Sequence, residues 1–291
     1  MGLDLRKLDH LIAVAEEGSF TRAAARLHLS QQALSTSIRT LEREVGVPLL
    51  DRDATGVTAL PAGLALIEDA RVLHGVARSA VRRARRIGRG EAATLRIGHT
   101  PAVTGEEVTA LLRTVLAELP DLRTEVNQRY PGQLVEQLLG GGLDIALCRG
   151  TRPPHGLTRT TLARHRLAIA VDADHPLAGR DHVGLPELAG EQFVVWGEPG
   201  RSGYTDLLLD HCRRAGFEPR VTRNPIQGTP PVTAVLGTRH VAFVTARPGT
   251  AADGRVRVLA VRPSIHAPLH ALWNPHTTSE IRDEFLAANG Q

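Results

Sequence analysis

Two helical patterns separated by only three residues constrain this chain more than any other feature. Leu5, Leu8, Ile12 and Ala15 recur at helical spacing until Gly18 stops the run. Ser19 is placed to cap an alanine-rich helix over 20–27, with Ala23, Ala24 and Ala25 near its centre. His28 and Leu29 leave room for a short turn, and Ser30 can cap a further helix from Gln31 to about Glu44. In that helix Leu34, Ile38, Leu41 and Val45 make one apolar stripe. Gln31, Gln32, Ser35, Thr36 and Arg39 lie on the other side, and Gly46-Val47-Pro48 ends the run. A short helix, a tight turn and a second helix with a polar outer face form a helix-turn-helix. The second helix of such a unit fits the major groove of DNA, where glutamine, serine and arginine reach base edges.

The next residues extend the pattern. Residues 49–60, with Gly56 in the middle, read as two short strands and a turn. Pro61 suits the first position of a long helix. Leu66, Ala70, Leu73, Ala77, Ala80, Ala84 and Ile87 alternate spacings of four and three, a heptad seam with mostly small residues. The alternatives are a dimer seam and packing on the chain's own domain. The dimer seam is favoured, because Arg82, Arg83, Arg85 and Arg86 leave little other apolar surface at that end. Gly88-Arg89-Gly90 then reads as a hinge.

Beyond residue 90 the period changes. Strand patterns at 95–98, 123–128 and 143–147 alternate with helical patterns at 106–119 and 133–139. A second set follows with strands at 167–171, 193–196 and 241–244 and a helix over about 204–215. Strands at 256–261 and 269–273 and a closing helix over 279–288 complete the chain. Such alternation indicates parallel α/β architecture. A length of 291 residues suits two or three domains. No stretch reaches the roughly 18 uninterrupted apolar residues of a membrane helix. The first nine residues mix charges too early for a signal peptide, and two cysteines are too few for a disulfide framework, so a cytoplasmic protein is expected. Residues 1–90 hold 14 Lys/Arg against 10 Asp/Glu, whereas residues 91–291 hold 21 of each. The formal excess of +4 therefore sits in the first third, which points to an anionic partner there.

Several patterns carry less than they resemble. Gly88-Arg89-Gly90-Glu91-Ala92-Ala93 precedes a strand, whereas a dinucleotide fingerprint follows one. Gly200-Arg201-Ser202-Gly203-Tyr204 lacks the glycine spacing of a nucleophile elbow and reads as a turn before a helix. His266 and His270 on one strand would stand about 13 Å apart at roughly 3.3 Å per residue, too far for one ion. Cys148 reads as a small core residue, with a redox role as the alternative, and Cys212 has no C-x-x-C partner. No nucleophile–base pair, metal set or cofactor motif stands out, so neither catalysis nor a cofactor is expected.

The run Leu8-Asp9-His10-Leu11-Ile12-Ala13-Val14-Ala15-Glu16-Glu17-Gly18-Ser19-Phe20-Thr21-Arg22-Ala23-Ala24-Ala25-Arg26-Leu27-His28-Leu29-Ser30-Gln31-Gln32-Ala33-Leu34-Ser35 resembles the N-terminus of LysR-type transcriptional regulators. The continuation Ile38 to Arg52 is similar to it too, and Gly142-Leu143-Asp144-Ile145-Ala146-Leu147 resembles the family's first-lobe core. The chain departs from the family pattern in having Gln32 for a common proline, Thr36 for a common arginine and Thr55 near a usual wing arginine. Ala59-Leu60 replaces a usual Leu-Thr pair, and Asp51 and Asp53 flank Arg52.

The resemblance implies a winged helix-turn-helix over 1–60 and a linker helix and hinge over 61–90. It implies a two-lobed, periplasmic-binding-protein-like effector domain over 91–291. Lobe 1 is expected at about 91–162 and 265–291, and lobe 2 at about 163–264. Ser30, Gln31, Gln32, Ser35, Thr36 and Arg39 would meet double-stranded DNA, with Arg52 nearer the backbone. The heptad seam would make a homodimer or homotetramer. Ligands of open α/β sheets bind at the C-terminal ends of strands. Those ends, in the segments where the family holds its effector, supply Thr100, Pro101, Tyr130, Arg149 and Trp196. Thr100, from a helix-start region, and Arg149 suit an anionic group. Tyr130 and Trp196 either cover an apolar part or simply pack. The competing reading is a cytoplasmic solute-binding-type protein with a degenerate DNA-binding module.

Overall fold

A computed structural model describes residues 4–53, 56–224, 226 and 231–290. Three helices open the chain, α1 (Leu5–Glu17), α2 (Phe20–Leu27) and α3 (Gln31–Val45). Ser19 Oγ accepts from the Arg22 N–H and Ser30 Oγ from the Ala33 N–H, so both expected caps form. Gly18, His28 and Gly46 turn the chain with left-handed backbones at φ 59°, 55° and 86°. Strands β1 (Leu50–Asp53) and β2 (Gly56–Ala59) pair antiparallel as the wing. Thr55, the wing position singled out above, lies outside the described residues. Leu8, Leu11, Val14, Leu34, Ile38, Leu41 and Leu49 share one wholly buried core. Val45 is the exception to the α3 stripe; it is exposed at the last helical turn, where no element covers it.

Helix α4 (Pro61–Gly88) is divided among three environments. Ile67 and Ala70 complete the helix-turn-helix core, with Leu66 half-buried against it. A second face packs on the effector domain. There Gly75 is required, since a Cβ would collide with the Leu139 carbonyl, and Arg78 Nε donates to the Gly140 carbonyl at 2.9 Å. The third face exposes Leu73, Ala80, Ala84 and Ile87 beside half-buried Ala77. The expected seam is therefore corrected at its start: Ala70 is inside its own domain, because α4 turns that side toward α1.

Lobe 1 contains β3 (Thr94–His99), α5 (Gly105–Glu118), β4 (Arg123–Gln128), α6 (Pro131–Leu139), β5 (Ile145–Cys148) and β6 (Thr158–Arg166). Lobe 2 contains β7 (Ala168–Asp172), β8 (His182–Val183), β9 (Gln192–Val195), α7 (Gly203–Arg214), β10 (Arg220–Arg223), β11 (His240–Val244), β12 (Gly249–Ala251) and β13 (Val256–Val261). The chain then returns to lobe 1 with β14 (His266–Trp273) and α8 (Glu280–Asn289). The lobe 1 sheet runs β4-β3-β5-β14-β6; β3, β4 and β5 are parallel and β14 is antiparallel to both its neighbours. The lobe 2 sheet runs β10-β9-β11-β7-β13-β12, with β8 against β13. Pairing of β6 with β14 keeps residues 158–166 in lobe 1, so the chain crosses at Leu167 and not after residue 162. It returns between β13 and β14, near the expected place.

Candidate functional site

The polar face of α3 is laid out by its cap and its apolar stripe. Gln31, Gln32, Thr36 and Arg39 are exposed, Ser35 is half-buried, and Ser30 sits at the exposed N-cap. Arg39 has no hydrogen-bond or ion-pair partner among the described residues, so its guanidinium is available to a base edge or phosphate. Thr36 Oγ1 donates back to the Gln32 carbonyl at 2.9 Å, leaving it acceptor capacity only. Gln31 Oε1 accepts from Thr21 Oγ1 at 3.4 Å, which links α3 to α2. Arg52 lies over the Phe20 ring, 4.3 Å from its centroid. The aromatic face holds that cation in place.

At the lobe junction Thr100 and Arg149 follow the C-terminal ends of the neighbouring strands β3 and β5, and the Thr100 N–H donates to the Leu147 carbonyl at 3.0 Å. Thr100 is 4% exposed and Arg149 1%. Arg149 Nη2 donates to Glu107 Oε1 at 2.5 Å. Its Nε and Nη1, and Thr100 Oγ1, have no partner among the described residues. Unmet buried donors are rare in native proteins and mark sites completed by something else. His165 Nδ1 lies 2.6 Å from the same Glu107 oxygen and 2.7 Å from Arg149 Nη2. One nitrogen takes one role at a time; as a donor it places a second N–H on the Glu107 oxygen. Burial alone would raise the Glu107 carboxyl. The His165 hydrogen bond, the Arg149 charge and the Thr104 N–H outweigh it and hold the group at about 2.

Lobe 2 closes over this cluster. Gly150 and Gly203 meet backbone to backbone, and a Cβ on either would strike the other's carbonyl. The adjacent Tyr204, half-buried, has its phenol pushed up to about 12 by burial and lies within the fields of Arg149 and Glu107. Pro101 is half-buried in the loop after β3. Tyr130 caps α6 and is 50% exposed. Trp196 packs on the lobe 2 core of Ala168, Val194, Val235 and Ala242. Thr100 and Arg149 thus follow adjacent strand ends, while Tyr130 starts α6 and Trp196 packs within lobe 2. Thr100 also differs from expectation in precursor geometry: α5 begins at Gly105, and its first turn is closed by a Thr104–Glu107 capping box. The Thr104 N–H donates to the Glu107 carboxylate and the Glu107 N–H to the Thr104 hydroxyl, and this helix start lies four residues beyond Thr100. Burial pushes the Cys148 thiol up to about 11 and the Cys212 thiol up to about 12, which removes thiolate character from both.

Residues 5–64 match the model of the bacterial regulatory helix-turn-helix protein, lysR family. Residues 88–288 match the LysR substrate binding domain. The chain belongs to the LysR family of transcriptional regulators. It is 35% identical over 224 residues to the HTH-type transcriptional regulator YnfL of Escherichia coli, covering 77% of this chain and 75% of that protein. It is 31% identical over 219 residues to the HTH-type transcriptional regulator ClcR of Pseudomonas putida, covering 75% and 74%. Among solved structures, CbnR, a LysR family transcriptional regulator, matches with a TM-score of 0.59 at 24% identity, covering 98% of this chain and 99% of that one. Full-length CbnR complexed with its target DNA gives 0.57 at 23% identity, covering 99% and 98%. These structures establish the shared fold. As a LysR protein, this chain is a DNA-binding transcriptional regulator with an effector-binding domain. Among the described residues no helix is long and apolar enough to cross a membrane.

With the LysR domain limits in place, the charge excess resolves differently. Residues 1–60 carry seven Lys/Arg and eight Asp/Glu, whereas residues 61–90 carry seven Arg and two Asp/Glu. The excess belongs to α4, not to the helix-turn-helix. Sequence reasoning missed Glu107, His165 and Tyr204. The pattern Thr104-x-x-Glu107 before an apolar run signalled the capping box and so could have singled out Glu107. Nothing local to His165 or Tyr204 signals their proximity to Arg149.

Proposed function

We propose that this LysR regulator reads its operator with the exposed face of α3 as a homo-oligomer paired through α4, and that a small anionic effector in the lobe junction controls it. Gln31, Gln32, Ser35 and Arg39 are the base-reading groups, with Thr36 as an acceptor and Ser30 and Arg52 near the phosphates. The protein acts in the cytoplasm by coupling binding to conformation, without catalysis. Leu73, Ala77, Ala80, Ala84 and Ile87 form the pairing surface; their exposed small-residue stripe supports this part of the reading.

The observation that carries the effector site is the pair of buried, partly unmet donors at Thr100 and Arg149. A carboxylate between them would satisfy Thr100 Oγ1 and the free nitrogens of Arg149 at once. Pro101 would form the rim. Tyr130 and Trp196 are given no part in holding the effector's charged group. The Gly150–Gly203 contact gives the ligand two lobes to bridge, so occupancy favours one lobe arrangement over another.

Two experiments test this. Genomic binding profiles of the wild type and of a variant with Ala at Gln31, Gln32 and Ser35 should differ in the sites occupied; identical profiles refute the reading face. Thermal-shift screening of metabolites then finds the effector. At 100 times its dissociation constant a ligand stabilises by about 2.7 kcal/mol. Equal protection of Thr100→Val and Arg149→Ala variants refutes this site.

A further inference from the structure

A cavity of about 880 Å³ opens where the chain crosses between lobes, and none of Thr100, Pro101, Tyr130, Arg149 or Trp196 lines it. Its lobe 1 wall is the end of β6 with Arg164 and Arg166, and the first turns of α5 with Glu106 and Leu111. Its lobe 2 wall is the segment after β11, with Arg247, and the end of β13, with Arg262. None of these four arginine side chains has a hydrogen-bond or ion-pair partner among the described residues, although most arginines of the helix-turn-helix are paired. Glu106 and Glu107 are the carboxylates that line the cavity, and Glu107 is already engaged by Arg149 and His165. Glu106 alone cannot neutralise four cations. Leu111, Leu167, Ala168, Val261 and Leu269 supply apolar surface beside them. β6 is also the edge strand of its sheet, so one row of its backbone groups has no strand partner.

We propose that this cavity is a second ligand site, separate from the lobe-junction site, for a small organic dianion with an apolar part. Such a ligand is a dicarboxylate or a phosphate monoester. Guanidinium groups recognise both through bidentate hydrogen bonds, these four exposed arginines line one cavity, and its size and apolar wall suit a small-molecule site. Its cations come from both lobes, Arg164 and Arg166 from one and Arg247 and Arg262 from the other. A dianion held between them braces the two lobes against each other and selects one arrangement, as any ligand does that binds one conformation better.

The site is tested by calorimetric titration of the full-length protein with phthalate and with phenyl phosphate, which separates the two anion chemistries. An Arg164→Gln/Arg247→Gln double variant takes one guanidinium from each lobe. It should bind the preferred probe at least roughly tenfold more weakly, the minimum for losing one charge-assisted contact. Thr100→Val, a change at the lobe junction that touches no residue lining the cavity, should bind that probe as the wild type does. Competition with the effector found by thermal-shift screening should be absent. Affinity lost in Thr100→Val but kept in the double variant overturns the proposal and places the probe in the lobe junction. Equal affinity in all three proteins, or no heat from either probe with the wild type, also overturns it. An unchanged thermal melt of the double variant shows that any loss is not a loss of fold.

Discussion

The helix-turn-helix and the lobe junction are built on opposite plans. The first has a core of leucine, isoleucine, valine and alanine, and its polar groups are spent on caps at Ser19 and Ser30 and on surface ion pairs. The second buries an arginine, a carboxylate and a threonine within a few residues of strand ends and leaves several of their donors unmet. An apolar core tolerates no ambiguity, since any rearrangement exposes area worth about 25 cal/mol per Å². A charged junction whose donors are not all met is held by directional contacts that a bound group can complete. The helix-turn-helix is thus held by apolar packing, and the lobe junction by directional polar contacts.

The contrast breaks first at Arg149. Arg149→Met leaves Glu107 buried without its cation and should cost about 3–5 kcal/mol. The double variant with Glu107→Gln should recover much of that loss. Trp196 and Trp273 are the only tryptophans and both lie in the effector domain, so fluorescence-detected urea unfolding follows this domain alone. If the single variant unfolds like the wild type, the junction is not under electrostatic tension.

In the other region, Leu34→Ala empties a fully buried site and should cost about 2–5 kcal/mol. Helical circular dichroism and DNA affinity should fall, while the tryptophan-detected transition stays in place. A shift of that transition would show that the two regions unfold as one unit.

A smaller effect comes from acid. The Glu107 carboxyl is held at about 2 against an ordinary value of 4.5. A group with a depressed folded value stabilises the protein above its unfolded value and loses that contribution as pH falls toward the folded one. Stability of roughly 3 kcal/mol should therefore disappear between pH 4.5 and 2. Glu107→Gln should flatten the effector-domain stability curve over that window, and the same slope in both proteins would assign the acid sensitivity elsewhere.

The smallest expected change is at a cap. Ser30→Ala removes the acceptor for the Ala33 N–H and should cost about 1 kcal/mol, read in the helical signal. A null result would mean that α3 is held by its packing alone.

These differences also explain what was legible in the sequence. Caps, glycine stops and apolar periods are local, so α1, α2 and α3 and their turn follow from adjacent residues, as does α8 from Ser279. The strand β6 does not. Thr158–Arg166 has one fully buried apolar residue, Leu162, and gains its identity from β14, about a hundred residues later. The same holds for the Glu107–Arg149–His165 cluster, which three separate elements assemble. Strand-end logic places Thr100 and Arg149 just after β3 and β5 because parallel topology fixes where those strands stop. It could not tell that Trp196 packs on its own sheet, which depends on Val235 and Ala242 from distant segments. The heptad pattern in α4 is local, but periodicity alone does not say that Leu66 and Ala70 pack in the helix-turn-helix core.

Helix α4 ties these regions into one mechanical part. Its Gly75 is seated on the effector domain and its Pro61 end is seated under the reading unit, 14 residues away. At 1.5 Å per residue that is a rod about 21 Å long. A tilt of about ten degrees around Gly75 carries the far end through about 3.7 Å, by the geometry of a straight helix. The stacking repeat along one DNA strand is about 3.4 Å. A modest rocking of the effector domain is therefore enough, through this lever, to move a reading head by one base step.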